Sequence, residues 1–241
     1  MREILTYHAL RITFLPMSIG VLNEKALHAS LKAWLAQPGD LFEQPLDGFV
    51  IDIVRGEQLI EVQTRQVRAM RRKLDLLLAH HLVQLVLPIA VEKWVVKVDG
   101  NGRSLSRRKS PKRGSVYDLF AELVSVPTLL GNPNLTLTVL LIQEEEVRRF
   151  DGNRSWRRKG WAAVERRLVQ VVGQQTLTST ADAAALLPDG CPVCFTTADV
   201  GQAAGISSRL AQQMVYCLRE LGEIEVVGKN GRFVLYQRRA G

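Results

Sequence analysis

Long apolar runs are missing from this 241-residue chain. None approaches the roughly eighteen consecutive apolar residues that a membrane-spanning helix needs. The nearest candidate, Ala9 to Leu22, is broken by Arg11 and Pro16 and lacks a small-residue cleavage site, which argues against a secretory signal and leaves Met17 as an alternative start. Cysteine is scarce as well. Three residues, an odd number, argue against a secreted disulfide scaffold and fit a reducing compartment, by default the cytoplasm. Cys191 and Cys194 form a lone CxxC, but a closed zinc site needs two further ligands, and Cys217 falls inside a predicted helix. The plainer reading is two half-buried thiols beside Pro192. Proline, glycine and serine do not accumulate over any long stretch, so extended disorder is excluded, and no repeat or low-complexity tract is visible.

Against these absences stands an excess of positive charge. Thirty-two Lys and Arg face 24 Asp and Glu, a net charge of +8, and the pI is near 9.7. Such a surface condenses onto a polyanion by releasing its counterions, so nucleic acid is the leading partner and an anionic membrane surface the rival.

Leu22, Ala26, Leu27, Leu31, Trp34 and Leu35 recur at helical spacing, with Asn23 as the cap and Pro38-Gly39 as the stop. Gly48–Val54 and Leu59–Thr64 read as a β-hairpin joined through Arg55 to Gln58. Val67 to His81 reads as a second, basic helix, and His80 and His81 cap its end. Leu82–Ala90 and Trp94–Val98 are predicted strands. A basic loop, Arg103 to Arg113, follows, then a short helix over Val116–Val124 and a strand over Leu135–Gln143. The charged stretch after it has no clear periodicity. A basic patch lies at Arg154 to Lys159, Trp161–Leu177 fits helix or strand, and Ala181–Leu187 reads as a short helix.

Towards the C-terminus, Thr197–Ala204 forms a predicted helix, Gly205 a turn, and Ser207 caps a longer helix with Leu210, Met214, Val215, Leu218 and Leu221 on one face. Ile224–Val227 and Phe233–Tyr236 flank an Asn230-Gly231 turn. Over about fifty residues this stretch resembles winged helix-turn-helix domains. The resemblance implies that Ser208, Arg209, Gln212, Gln213 and Arg219 meet the major groove of duplex DNA while Lys229 and Arg232 meet phosphates. The competing reading is a protein-assembly surface, facing another protein or a second copy in a homodimer, because Glu220, Glu223 and Glu225 dilute the positive face.

The hairpin carries the chemistry. Strand alternation sends Ile51, Ile53, Ile60 and Val62 to the core and leaves Asp52, Glu61 and Gln63 on the opposite side, where two carboxylates converge across the hairpin. With the Val62 carbonyl they form a hard-oxygen set suited to Mg²⁺ or Mn²⁺. A solvent-facing acidic pair is the plain alternative. The strings Ile51-Asp52-Ile53-Val54 and Ile60-Glu61-Val62-Gln63-Thr64, between two helices, resemble the PD-(D/E)XK (restriction endonuclease-like) nuclease superfamily over roughly residues 20–145. The resemblance implies Glu24 as the helix acid, Asp52 and Glu61 as metal ligands, and Gln63 where that superfamily has lysine. An amide orients water but brings no charge to a phosphorane. Lys73 and Arg65, just downstream, are candidate replacements for the cation.

The dense cations Arg103, Arg107, Arg108, Lys109, Lys112 and Arg113 suit a phosphate backbone. A flexible basic loop is the alternative. The expectation is therefore an α/β protein: a restriction endonuclease-like mixed sheet flanked by helices over residues 1–150, a connecting segment over 151–185 and a small winged-helix domain over 186–241. Its function would be metal-dependent DNA hydrolysis, or DNA binding by a catalytically inactive descendant.

Overall fold

The computed structural model describes residues 26–64, 66–152 and 160–239. Glu24, the Asn23 cap, Arg65 and the patch 154–159 lie outside the described residues. The fold is mixed α/β, a mixed sheet flanked by helices. Helix α1 (Ala26–Leu35) is followed by a meander of three strands, β1 (Leu41–Leu46), β2 (Phe49–Arg55) and β3 (Gln58–Val62). A 3₁₀ turn over Val67–Met70 leads into α2 (Arg71–Leu77), and the chain returns along β4 (Leu82–Val98), parallel to β3 with Glu61 opposite Leu85. Strand β5 (Ser104–Lys109) folds back on β4. After α3 (Leu119–Leu123), β6 (Leu135–Phe150) runs parallel to β4 and β7 (Trp161–Leu177) antiparallel to β6. The order is β1-β2-β3-β4-β6-β7, with β5 branching from β4.

Parallel strands are covered on both faces, and the sequence of β4 obeys that requirement. Val83, Leu85 and Leu87 join a core with α2 and α3, while Val86 joins one with α1. Arg55 ties α1 to the end of β2: its guanidinium grips Asp40 in two bonds of 2.8 and 2.7 Å and donates to the Leu35 carbonyl.

The C-terminal part comprises α4 (Thr180–Ala184), β8 (Cys194–Phe195), α5 (Thr197–Ala204), α6 (Ser208–Glu220), β9 (Ile224–Asn230) and β10 (Phe233–Arg238), the strands forming a second sheet in the order β8-β10-β9. Its helix starts follow local chemistry. Thr196 and Asp199 form a capping box on α5, Ser207 Oγ accepts the Leu210 N–H of α6, and Gly205 takes the left-handed φ of +63° between them.

Several expectations change. Strand β1 had no clear signal because Pro45 and exposed side chains make it an edge strand. The two strands predicted over 82–98 are one 17-residue strand, irregular between Ala90 and Glu92. The predicted basic loop is largely β5, and the segment 151–185 is no connector, since β7 within it forms the edge of the main sheet. The second hairpin turns at Gly231-Arg232, with Phe233 opposite Asn230, one residue later than the Asn-Gly reading. One apolar core also joins the two parts: Phe120 and Leu123 of α3 belong to the same buried cluster as Met214, Val215, Cys217 and Leu218 of α6.

Candidate carboxylate site and nucleic-acid surface

Strands β2 and β3 pair from Arg55–Gln58 to Ile53–Ile60 and then part. At the parting the two carboxylates lock the strands together. Asp52 Oδ2 accepts the Val62 N–H at 2.8 Å, and the Asp52 N–H is donated to Glu61. The expected sharing of one face is not what occurs. Ile51 belongs to the cluster beneath α2, whereas Ile53 belongs to the one beneath α1, so alternation breaks at Asp52. Asp52 consequently reaches α1, with His28 Nε2 at 3.1 Å, while Glu61 reaches α2, with Lys73 Nζ at 2.5 Å.

Their electrostatics diverge accordingly. Burial pushes Asp52 upward, but His28, the Val62 N–H and Lys32 together outweigh it and hold the carboxyl below its ordinary range. Burial dominates at Glu61. Its side chain is only 5 % exposed, Lys73 opposes the shift, Asp52 adds to it, and the carboxyl is pushed up to about 7. Lys73 is itself held in place by the Val50 carbonyl at 2.6 Å and the Phe49 ring at 5.9 Å. A cation thus reaches Glu61 from α2. Gln63 donates its amide to the Gln66 carbonyl at 3.1 Å and lines a cavity of about 340 Å³.

Mg²⁺ is commonly held by one or two carboxylates, with water and substrate phosphate completing its shell. Asp52 and Glu61 supply two carboxylates at one strand junction, one directed to α1 and the other to α2. Glu61 Oε1 is buried against the Lys73 ammonium, and the like charge of Asp52 acts on it, which favours an added cation. Among the described residues no group of three His, Cys, Asp or Glu side chains is gathered for a metal, so the set is limited to these two acids.

The expected DNA-contacting residues divide. Ser208, Arg209 and Gln212 are exposed on α6, Gln213 is half-buried, and Lys229 and Arg232 are exposed on the hairpin. Arg219 is exposed but bonded to Glu220 at 2.8 Å. On β5, Arg107 is held by Glu145 at 2.7 Å and lies over the Trp94 ring, and Lys109 is held by Glu92 at 2.6 Å. The cluster that looked free of acid in the sequence therefore meets acids across the sheet. Arg108, Lys112 and Arg113 are exposed and make no ion pair within 4 Å among the described residues, although Arg113 is near enough to act on Glu92.

Two features escaped the sequence reading. His28 had no signal, because its partner is 24 residues away on β2. The charged stretch after Gln143 conceals a buried network in which fully buried Glu144 meets Arg166 of β7 at 2.5 Å and Lys93 of β4 at 2.9 Å.

The protein is mixed α/β, with two acids and a lysine close to one strand junction. The chain belongs to the family described as "Domain of unknown function (DUF8091)", whose model matches residues 25–178, more than half its length and ending one residue past β7. It is also similar to an uncharacterized protein of Treponema pallidum (strain Nichols), 29% identical over 224 residues that cover 92% of this chain and 88% of that one. No solved structure matches. Among the described residues no helix is long and apolar enough to cross a membrane.

Proposed function

We propose that this protein is a metal-dependent DNA endonuclease of the PD-(D/E)XK type, brought to duplex DNA by a C-terminal winged helix. The observation that carries the reading is the Glu61–Lys73 pair at the point where β2 and β3 part, with Asp52 near enough to act on Glu61. It is supported by the succession helix, three-strand meander, helix and parallel strand around that point. A strongly perturbed acid beside a specific cation is a common mark of a working site. Asp52 and Glu61 are the residues that would hold Mg²⁺ or Mn²⁺, and the ion, when bound, supplies Lewis-acid polarisation of a phosphate oxygen and a more acidic water. His28 fixes the Asp52 carboxylate. Lys73 offers the positive charge that offsets the growing negative charge on phosphorus, and Gln63 orients water through its amide. The polar face of α6, with Arg209 and Gln212, faces the groove, and Lys229 and Arg232 reach backbone phosphates. The location that goes with this reading is cytoplasmic.

Supercoiled plasmid incubated with the full chain and Mg²⁺ or Mn²⁺ tests the proposal. Nicking or linearisation is expected, abolished by EDTA and reduced by at least two orders of magnitude in Asp52→Ala, with duplex binding retained. Duplex binding without metal-dependent cleavage in the wild type rejects the nuclease and leaves the catalytically inactive DNA-binding form.

A further inference from the structure

Beside Gln63 lies a cavity that the carboxylate site does not use. It has a volume of about 340 Å³ and sits between the end of β3, the middle of β4 and α3, at the small end of the range for ligand pockets, about 300–1,000 Å³. Its apolar floor is made by Leu87, Pro88, Ile89 and Leu119. Over one rim passes the segment Ser110–Gly114, which carries Lys112 and Arg113, both lining the cavity and both exposed.

That segment is an arch pinned at each end to β4. The Ser110 N–H is donated to the Lys93 carbonyl at 2.7 Å and the Gly114 N–H to the Ala90 carbonyl at 3.0 Å. At Gly114 the approach is so close that an added Cβ would lie 2.7 Å from the Ala90 oxygen and 2.9 Å from Ile89 Cγ2. Glycine is thus required at the inner foot of the arch, and the two cations stand at a preformed place, which lowers the ordering cost of binding.

The other charges lining the cavity are committed elsewhere. Asp118 caps the Ser115 N–H at 2.7 Å, Glu122 accepts the Val67 N–H at 3.0 Å, and Lys93 pairs with Glu144 and Glu146. What remains for a ligand is an apolar floor and two cations on one rim. We infer that this cavity takes one nucleotide unit of a DNA strand, its base on the Pro88–Ile89 floor and its phosphate between Lys112 and Arg113. The inference rests on the reading of the protein as one that acts on DNA and adds a subsite beside the carboxylates. A bare anion site would not need the apolar floor, and an apolar ligand would not need the cations.

Calorimetric titration of the full chain with a 5′-phosphorylated thymidine dinucleotide tests it, with inorganic phosphate and unphosphorylated thymidine as comparison probes. The dinucleotide is expected to bind at least tenfold more tightly than either comparison probe. Ala121→Trp, which fills the cavity from an exposed position without altering charge, is expected to weaken dinucleotide binding at least tenfold. The surface double variant Lys112→Ala/Arg113→Ala weakens it similarly and carries little risk to folding. Phosphate binding as tightly as the dinucleotide, or dinucleotide affinity unchanged in the double variant, overturns the inference. Plasmid cleavage by the wild type and Asp52→Ala, assayed in parallel, keeps the outcomes apart: absent cleavage with dinucleotide binding that is lost in both variants rejects the nuclease and keeps the nucleotide subsite.

Discussion

Glu61 is the residue at which folding and chemistry pull against each other. A carboxylate in the middle of a sheet loses hydration that one lysine only partly replaces, and the consequence is a proton held far above the usual range. In the metal-free protein the group rises from 4.5 to about 7 on folding. The folded chain therefore binds this proton more tightly than the unfolded chain. Its contribution to stability is complete below about pH 4.5 and is lost as pH rises through 7, by roughly 3 kcal/mol in all. Glu61→Gln removes that dependence while keeping the shape. Urea midpoints of the metal-free protein between pH 5 and 8 should fall in the wild type and stay flatter in the variant; parallel curves would show that Glu61 is not the group responsible. A divalent ion bound at the same carboxylate would displace the proton, so metal affinity should rise over the same pH interval.

At the scale of elements, the seam between α3 and α6 does the most to join the two parts of the chain. Phe120 is fully buried there, and its carbonyl lies 3.9 Å from the Cys217 thiol of α6. Burial pushes that thiol up to about 12, which keeps it inert. Phe120→Ala leaves a cavity beneath both helices and should destabilise the protein by about 3–5 kcal/mol in chemical unfolding; a loss below about 1 kcal/mol would mean that the helices repack without it. Elements with local instructions were legible in the sequence: α5 and α6 through Thr196, Asp199, Gly205 and Ser207, and β2 and β3 through alternation around a short turn. Elements whose logic is tertiary were not. Glu92 and Lys93 interrupt the apolar pattern of β4, and Glu144 and Glu146 that of β6, yet Lys93 pairs with both acids across the strands, so charge without clear periodicity is sheet interior. The same division runs through the candidate site. The order of Asp52 and Glu61 along the hairpin was readable, while the break in alternation at Asp52 and the arrival of His28 from α1 depend on packing between segments far apart in the chain.

For the whole molecule, the question is whether the C-terminal part is an appended module or a share of the fold. The family match stops at residue 178, which suggests a boundary after β7. The core gives a different answer, because a single apolar cluster runs from Leu74 and Leu85 through Phe120 and Leu130 to Met214 and Leu218. The Treponema relative aligns over 224 residues, more than the family region contains, so the likeness also extends beyond that region. A fragment ending at residue 178 would expose the apolar face of α3 to water, at about 25 cal/mol for each Å² uncovered. An exposed patch of that kind promotes aggregation. The full chain should therefore unfold in one cooperative thermal transition, and the fragment should either aggregate or melt at a clearly lower temperature. A fragment that stays monomeric with an unchanged midpoint would show that the α3–α6 seam is a contact between independent domains. One cooperative unit would instead fix α6 relative to the β2–β3 junction, so that the distance between the polar face of α6 and the carboxylates is set by the core and not by a linker.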